Sequence, residues 1–495
     1  MSEPLLVVHA ASEVVPFAKT GGLADVAGAL PLALRATGVR PVVVMPRYRS
    51  IAPGRFQLRG TGVRISVPVA GRTVHADVLE GRLADDIPAF FIDQPAYFDR
   101  TGLYQEDGKD YADNAERFFF FSRAVPETIK TLGLAPDVIH CHDWQTGLLP
   151  LYLDRFYRGA PGLARTATVF TVHNLGYQGI FWSPDMPLTG LPWDVFTPEG
   201  IEFYGKINCL KAGLIYADRL TTVSPTYARE IQTAEQGVGL DGVLRGRADR
   251  LSGILNGIDS SWDPARDEEI PARFGPEDLA GKSACKEALQ RECGLQPSPR
   301  TPLFAVISRL AEQKGFDLVI GALDELIEQE VQIVVLGDGD RKYADHLRAA
   351  AEHAAGQVSV TLGFDAGLAR RIYAGADLFL MPSRYEPCGL GQMISLKYGT
   401  VPIVRRTGGL ADTVFPFSAE RGTGTGFVFE EYHPQAFLIA CLKAINLFHE
   451  PDLWERLVRN GMRADFSWDA SARAYADLYR LAAADRAVDD GMEPA

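Results

Sequence analysis

In the stretch FAVISRLAEQKGFD, Arg309 and Lys314 fall just past an apolar, β-branched run and just before a helical pattern. A guanidinium fork and a compact ammonium so placed can neutralise phosphate oxygens; the alternative is two solvated cations beside a turn. In MPSRYEPCGLGQMIS, Glu386 lies in a Pro-Cys-Gly loop that again follows a strand-like run and precedes a helix. Its carboxylate suits sugar or ribose hydroxyls, and the backbone N–H groups at Leu390 and Gly391 suit a phosphate. The competing role is a charge that complements the helix dipole.

The hexapeptide TGGLAD occurs twice, at Thr20–Asp25 and at Thr407–Asp412. In the first copy Lys19 precedes Gly21 and Gly22, and a helical pattern follows. That order lets backbone N–H groups and one ammonium meet an anion; a tight turn with a solvated lysine is the other reading. The motif is neither a Walker loop nor GxGxxG. We read the copies as two glycine loops meeting one ligand rather than as a duplicated unit. The role of the second copy, Thr407–Leu410, is divided equally between nucleotide contact and hinge packing.

VIHCHDWQTG offers His140, His142, Asp143 and Trp144 within one turn. Imidazole and carboxylate are ordinary metal ligands, but no complementary ligand cluster occurs elsewhere in the chain, so no metal site is expected. Asp143 as a helix cap, with Trp144 packing or stacking on a sugar, is the favoured alternative. In FTVHNLGYQG, His173 follows a strand, where a lone histidine is as often structural as functional.

The elements that must position these residues alternate between short apolar runs and longer helical patterns, as in parallel sheets with crossover helices. Strands are expected at Leu5–His9, Val42–Met45, Ala89–Ile92, Val138–His140, Thr168–Val172 and Leu220–Val223. A second series falls at Leu303–Ile307, Gln332–Leu336, Ser359–Leu362, Leu378–Met381 and Pro402–Val404. Apolar residues at helical spacing run through Phe316–Glu330. A segment rich in Asp, Pro and Gly, Asp259–Gly281, reads as a linker. The expected organisation is therefore two Rossmann-like domains, 1–258 and 259–465, with a helical tail over 466–495 whose last residues fray. In such sheets ligands bind beyond the carboxyl ends of the strands.

At 495 residues the chain exceeds what one core usually supports. Its formal charge of −13 argues against nucleic acid, whose binding needs clustered Lys and Arg. The six cysteines show no C-x-x-C spacing, which suits a reducing compartment and argues against a disulfide framework and a structural zinc site. Neither a basic leader nor a long apolar span occurs, so a cytoplasmic protein without membrane contact is expected.

Taken in order, KTGGLADV, HCHDW, TVHNLGYQG, NGID, SRLAEQKG, SRYEPCGL and RRTGGLADTV closely resemble the glycogen and starch synthases of the bacterial and plant type, over nearly the whole chain. The resemblance implies a GT-B fold, two Rossmann-like domains facing a deep interdomain cleft, with the last helix crossing back to the first. It implies transfer of glucose from ADP-glucose to the non-reducing end of an α-1,4-glucan such as glycogen, with retention and without a metal or other cofactor. By the same resemblance Lys19, Gly21 and Gly22 hold the donor, and Arg309 and Lys314 neutralise the departing diphosphate. Glu386 meets the donor glucose, with Cys388, Gly389, Leu390 and Gly391 in the same donor loop and Thr407 near the nucleotide. His173 contacts the glucose, Gly363 lies against the phosphates and Phe364 stacks on the base. Asp143, Asp25 and Asn256 line the donor or acceptor side, and Tyr104 and Trp144 face the acceptor. Gly391 departs from the pattern, since relatives often carry Thr there. Competing readings are another GT-B enzyme and a glucan-binding scaffold without turnover; an oxidoreductase is disfavoured because no GxGxxG follows the first strand.

Overall fold

The computed structural model describes residues 4–489; the end of the chain expected to fray lies largely outside them. The chain divides into two compact units, one made of residues 1–223, 228–254 and 468–495, the other of 224–227 and 255–467.

The first unit holds a nine-stranded sheet. Its strands are β1 (Leu5–Ala10), β2 (Val39–Pro46), β3 (Arg59–Val69), β4 (Arg72–Ala84), β5 (Ile87–Asp93), β6 (Val138–His142), β7 (Ala167–Val172), β8 (Arg219–Thr222) and β9 (Leu251–Gly253). They lie in the order β9-β8-β7-β6-β1-β2-β5-β4-β3. Pairing is parallel from β9 through β5, whereas β4 pairs antiparallel with both β5 and β3. The parallel strands are nearly continuous apolar runs because helices cover both faces. β3 and β4 instead alternate buried and exposed residues, as a hairpin with one wet face must. That alternation, studded with Arg, Thr and Asp, was not expected as strand.

A helix α1 (Gly22–Leu34) follows β1, and the C-terminal helix α2 (Trp468–Asp489) belongs to this unit too. Ala472, Tyr475, Ala476, Tyr479 and Ala482 recur at helical spacing and form one cluster with Val26, Leu30 and Leu34 of α1 and with Val138 and Val169. Arg219 and Arg250 add ion pairs to Asp485 of the same helix.

The second unit is built on a six-stranded, all-parallel sheet: β10 (Leu303–Ile307), β11 (Gln332–Gly337), β12 (Val358–Leu362), β13 (Leu378–Met381), β14 (Val401–Arg405) and β15 (Phe427–Phe429). The order is β12-β11-β10-β13-β14-β15. Two expectations are corrected here. The helical pattern over Phe316–Glu330 forms two short helices, Phe316–Gly321 and Leu323–Ile327, because Ala322 leaves helical dihedrals at φ −116°. The expected linker is also packed: Ile270 and Phe274 join the core, and Asp267 is buried beside Arg370 at 2.9 Å. No described helix is long and apolar enough to cross a membrane.

Candidate active site

In the first unit the candidates collect beyond the carboxyl ends of three adjacent strands, β1, β6 and β7. Glu13, buried just past β1, organises the glycine loop. Its carboxylate accepts from Thr20 Oγ1 at 2.7 Å, from the Gly21 N–H at 3.2 Å and from the Thr20 N–H. It also accepts from the Tyr104 hydroxyl at 2.7 Å, and that hydroxyl lies 2.7 Å from Ser12 Oγ. One carboxylate thereby ties the loop of Lys19, Gly21 and Gly22 to the ring of Tyr104. Lys19 pairs with Asp25 at 2.7 Å and stays half exposed. A Cβ built on Gly21 or Gly22 would meet nothing within 4 Å, and Gly21 is in extended backbone at φ −150°. Neither glycine is required by packing, so the loop presents bare backbone to open space.

Tyr104 stands 6.4 Å from the Trp144 ring, which packs edge-on against Phe118 at 5.0 Å and Phe181 at 5.6 Å. Gly179, at φ +60°, is needed there because a Cβ would lie 2.4 Å from the indole. Trp144 is therefore mainly a packing residue with part of its surface exposed. Asp143 beside it adopts φ +56°, an uncommon conformation for a non-glycine residue at the end of β6. Its Oδ1 accepts from the His173 N–H at 2.7 Å, and burial pushes its pKa up to about 7 despite that bond.

Behind Asp143 stands a column of buried imidazoles. His9, His140 and His142 lie on one sheet face, with His9 and His140 in register on β1 and β6. His142 Nδ1 and His173 Nε2 are 3.0 Å apart. Burial lowers the pKa of all four, that of His9 and of His173 to about 3, so the column is neutral at physiological pH. Both nitrogens of His140 are engaged, with the Tyr479 hydroxyl at 2.7 Å and Thr171 Oγ1 at 2.6 Å. Among the described residues, His9 and His142 of this column keep buried nitrogens with no hydrogen-bond partner.

In the second unit the candidates again follow strand ends. The Lys314 ammonium lies 2.6 Å from Glu386 Oε2, both side chains being largely buried, and Ser383 Oγ donates to the same oxygen at 3.0 Å. Lys314 closes a single 3-10 turn ahead of Gly315, which admits no side chain, since φ is +77° and a Cβ would lie 2.1 Å from the Pro382 carbonyl oxygen. Arg309 reaches Gln313 Oε1 at 3.5 Å, and the Gln313 carbonyl accepts from the Arg384 N–H. Gly363, at φ +127°, has open space where its Cβ would stand, and Phe364 beside it is 89% exposed. Asn256 is buried with Oδ1 lacking a protein partner. Cys388, against which Asn256 packs, is buried, and its thiol is pushed up to about 12, far from a reactive thiolate.

The second TGGLAD copy differs sharply from the first. A Cβ on Gly408, at φ +44°, would lie 1.9 Å from the Glu386 carbonyl oxygen, and one on Gly409 would lie 2.1 Å from that of Cys388. The Gly409 N–H donates to the Glu386 and Pro387 carbonyls at 3.1 and 3.2 Å. Thr407 is buried, and Asp412 accepts from Thr226 N and Oγ1 at 2.9 and 2.6 Å. This copy packs the Glu386 loop in place. Gln392 locks the same loop from within, donating to the carbonyls of Cys388 and Gly389 at 3.0 Å each. A Cβ on Gly391 would come 3.1 Å from the Phe379 ring and 3.3 Å from the Tyr373 hydroxyl. Two aromatic neighbours thus account for glycine at the position where the resemblance leads one to expect a side chain. Leu390 is the N-cap residue of the following short helix.

Glu13 and Ser383 are the participants that motif reading did not single out. Glu13 had one visible signal, a charged residue inside the otherwise apolar run between β1 and the lysine.

Two Rossmann-like units, each with its polar set beyond the carboxyl ends of parallel strands, define a GT-B glycosyltransferase. Residues 6–246 match the starch synthase catalytic domain and residues 295–462 match glycosyl transferases group 1. The chain belongs to the glycogen and starch synthase family. It is 51% identical over 480 residues to the glycogen synthase of Anaeromyxobacter sp. (strain Fw109-5), covering 97% of this chain and 99% of that one. The glycogen synthase of Syntrophotalea carbinolica is 47% identical, with 96% and 98% covered. Among solved structures, the catalytic domain of Starch Synthase IV from Arabidopsis thaliana bound to ADP and acarbose superposes with a TM-score of 0.89 at 36% identity, over 97% of this chain and 99% of that one.

Proposed function

We propose that the protein transfers glucose from ADP-glucose to the non-reducing 4-hydroxyl of an α-1,4-glucan, glycogen or a polymer like it, with retention at the anomeric carbon. The observation that carries this reading is the Lys314–Glu386 pair on the loop that Gly408 and Gly409 pack. Support for the donor comes from the ADP in the Starch Synthase IV structure, and for the acceptor from the glycogen synthases at about half identity.

In this reading the C1–O bond to the diphosphate breaks as the acceptor O4–C1 bond forms, and the O4 proton passes to the departing phosphate. Arg309 and Lys314 neutralise the charge that builds on the diphosphate, the contribution expected to lower the barrier most. Lys19 adds a further ammonium, and the lack of side chains at Gly21 and Gly22 leaves the backbone there open to close approach by the phosphates. Phe364, almost fully exposed, suits the face of the adenine. The Glu386 carboxylate is held by an ammonium and a hydroxyl, which weakens it as a nucleophile and suits it to accept from a sugar hydroxyl. Attack on the face the diphosphate leaves therefore accounts for retention better than a glucosyl-enzyme does. Tyr104 and the exposed part of Trp144 suit the flat faces of acceptor sugars.

Nucleotide release by the purified protein with glycogen, comparing ADP-glucose with UDP-glucose and with or without chelator, tests the proposal. Chelator-resistant ADP release, well above UDP release, is expected. Faster UDP release would overturn the donor assignment, and release from neither donor would overturn the activity.

A further inference from the structure

His142 touches no open space and has no role in the chemistry above, yet it holds the one imidazole that the resemblance places at the sugar. Its Nδ1 lies 3.0 Å from His173 Nε2. Its own Nε2 is buried without a hydrogen-bond partner among the described residues. On its other side the ring stacks on His9 at 5.9 Å and 18° and lies tilted at 36° to His140, 4.0 Å away. His173 is fixed at its backbone, where its N–H donates to Asp143 Oδ1.

Two neutral imidazoles sharing one hydrogen bond can do so in two ways. If His173 Nε2–H donates, His142 must carry its proton on Nε2, a buried donor with nothing to receive it. If His142 Nδ1–H donates, the group left over is a bare lone pair at Nε2. Orphaned buried N–H groups are the rarer and costlier of the two. From this geometry we infer that His142 is a positioning residue that donates Nδ1–H to His173 and thereby holds His173 as the Nδ1–H tautomer. His173 then turns an N–H, not a lone pair, away from the column, and the oxygen it meets is used as an acceptor. The partner hydrogen bond sets the tautomer here as it does for metal-bound histidines. The titratable groups against the pair are His9 and His140, beside His142, and Asp143, beside His173, while Tyr475 and Tyr479 of α2 meet His140 behind them. Burial disfavours the charged form of both imidazoles, so the pair is neutral.

The tautomer itself does not depend on the transferase reading; its effect on turnover rests on that reading. The test is two-bond 1H–15N correlation spectroscopy of the full-length protein labelled at histidine nitrogens, without substrate, with His173 assigned through the His173→Gln variant. We expect the His173 signal set of the Nδ1–H tautomer, unchanged between about pH 8 and 6, the range in which a free histidine titrates. An Nε2–H pattern for His173 in the unaltered protein would overturn the inference, and that result needs no variant to fold. His142→Asn, which keeps an amide N–H near the Nδ1 position, should retain the tautomer and most of kcat. His142→Leu should lose the tautomer and lower kcat about tenfold with KM for the donor little changed. A His173 tautomer unmoved by His142→Leu would also overturn the assignment, and equal kcat losses in the two variants would mark His142 as packing alone.

Discussion

The Lys314 ammonium sits 2.6 Å from the Glu386 carboxylate, and the loop carrying Glu386 is braced by the close approach of Gly408 and Gly409 to its carbonyl oxygens. A buried charge pair of this kind makes each partner depend on the other. Removing one leaves the second desolvated and unpaired, a cost that belongs to the fold as well as to the reaction.

Lys314→Ala is therefore expected to lower kcat at least ~100-fold, the loss typical of a missing transition-state charge contact. Glu386→Gln should lose a comparable amount. The double variant should lose much less than the product of the two, because the residues act as a unit. Steady-state kcat across the three variants checks this, and multiplicative losses would show that the pair is not coupled.

The two hexapeptide copies should respond in opposite ways to alanine. Gly409→Ala drives a methyl into the Cys388 carbonyl and should destabilise by ~2–4 kcal/mol, read as a lowered Tm. Gly22→Ala meets open space at the first residue of α1, where alanine is worth up to ~1 kcal/mol more than glycine in a helix. Its Tm should hold or rise while KM for the donor increases. A fall in Tm for Gly22→Ala equal to that of Gly409→Ala would contradict this division of roles.

Asp143 gives a pH signature. Its pKa in the fold is raised to about 7 from 3.8, so the folded protein binds this proton more tightly than the unfolded chain does. The carboxyl's folding penalty is absent below the unfolded value, grows as pH rises between the two values and is complete above the folded one. Asp143→Asn, whose side chain also tolerates positive φ, should raise Tm relative to the unaltered protein at pH 8 and not at pH 4, while reducing activity. Tm curves for the two proteins across that range are the measurement; a constant difference would refute the burial argument.

Glu13→Gln replaces one acceptor oxygen with an amide that faces the N–H groups of Thr20 and Gly21. A loss of ~1–3 kcal/mol, the penalty for an unmatched buried donor, should appear partly as a fall in kcat/KM because the glycine loop loses its anchor. Hydrogen exchange of the Thr20 and Gly21 amides would rise if the carboxylate is that anchor, and stay unchanged if it is not.

What motif reading could reach was set by physics that acts along the chain. Leu303–Ile307 and Leu378–Met381 coincide with the expected strands because buried parallel strands are continuous apolar runs bounded by turns. The Arg59–Ala84 hairpin escaped because its alternating pattern carries Arg, Thr and Asp on the wet face. The break at Ala322 depends on neighbours that apolar spacing does not encode. In the site, the residues of the glycine loops and strand ends announced themselves by type, but their roles came from contacts between distant positions. Glu13 meets Tyr104 across 91 residues, and His142 meets His173 across 31. Two identical hexapeptides could not be told apart until the space around each glycine was known.

The central claim is most directly tested by following the anomeric carbon itself. ADP-glucose labelled with 13C at C1 is incubated with maltoheptaose and the purified protein, and the products are read by NMR and chain-length analysis. The account predicts chains longer by one or more residues, with the label in new α-1,4 linkages and one ADP per linkage. Label recovered as free glucose without chain growth, or in β linkages, would contradict it.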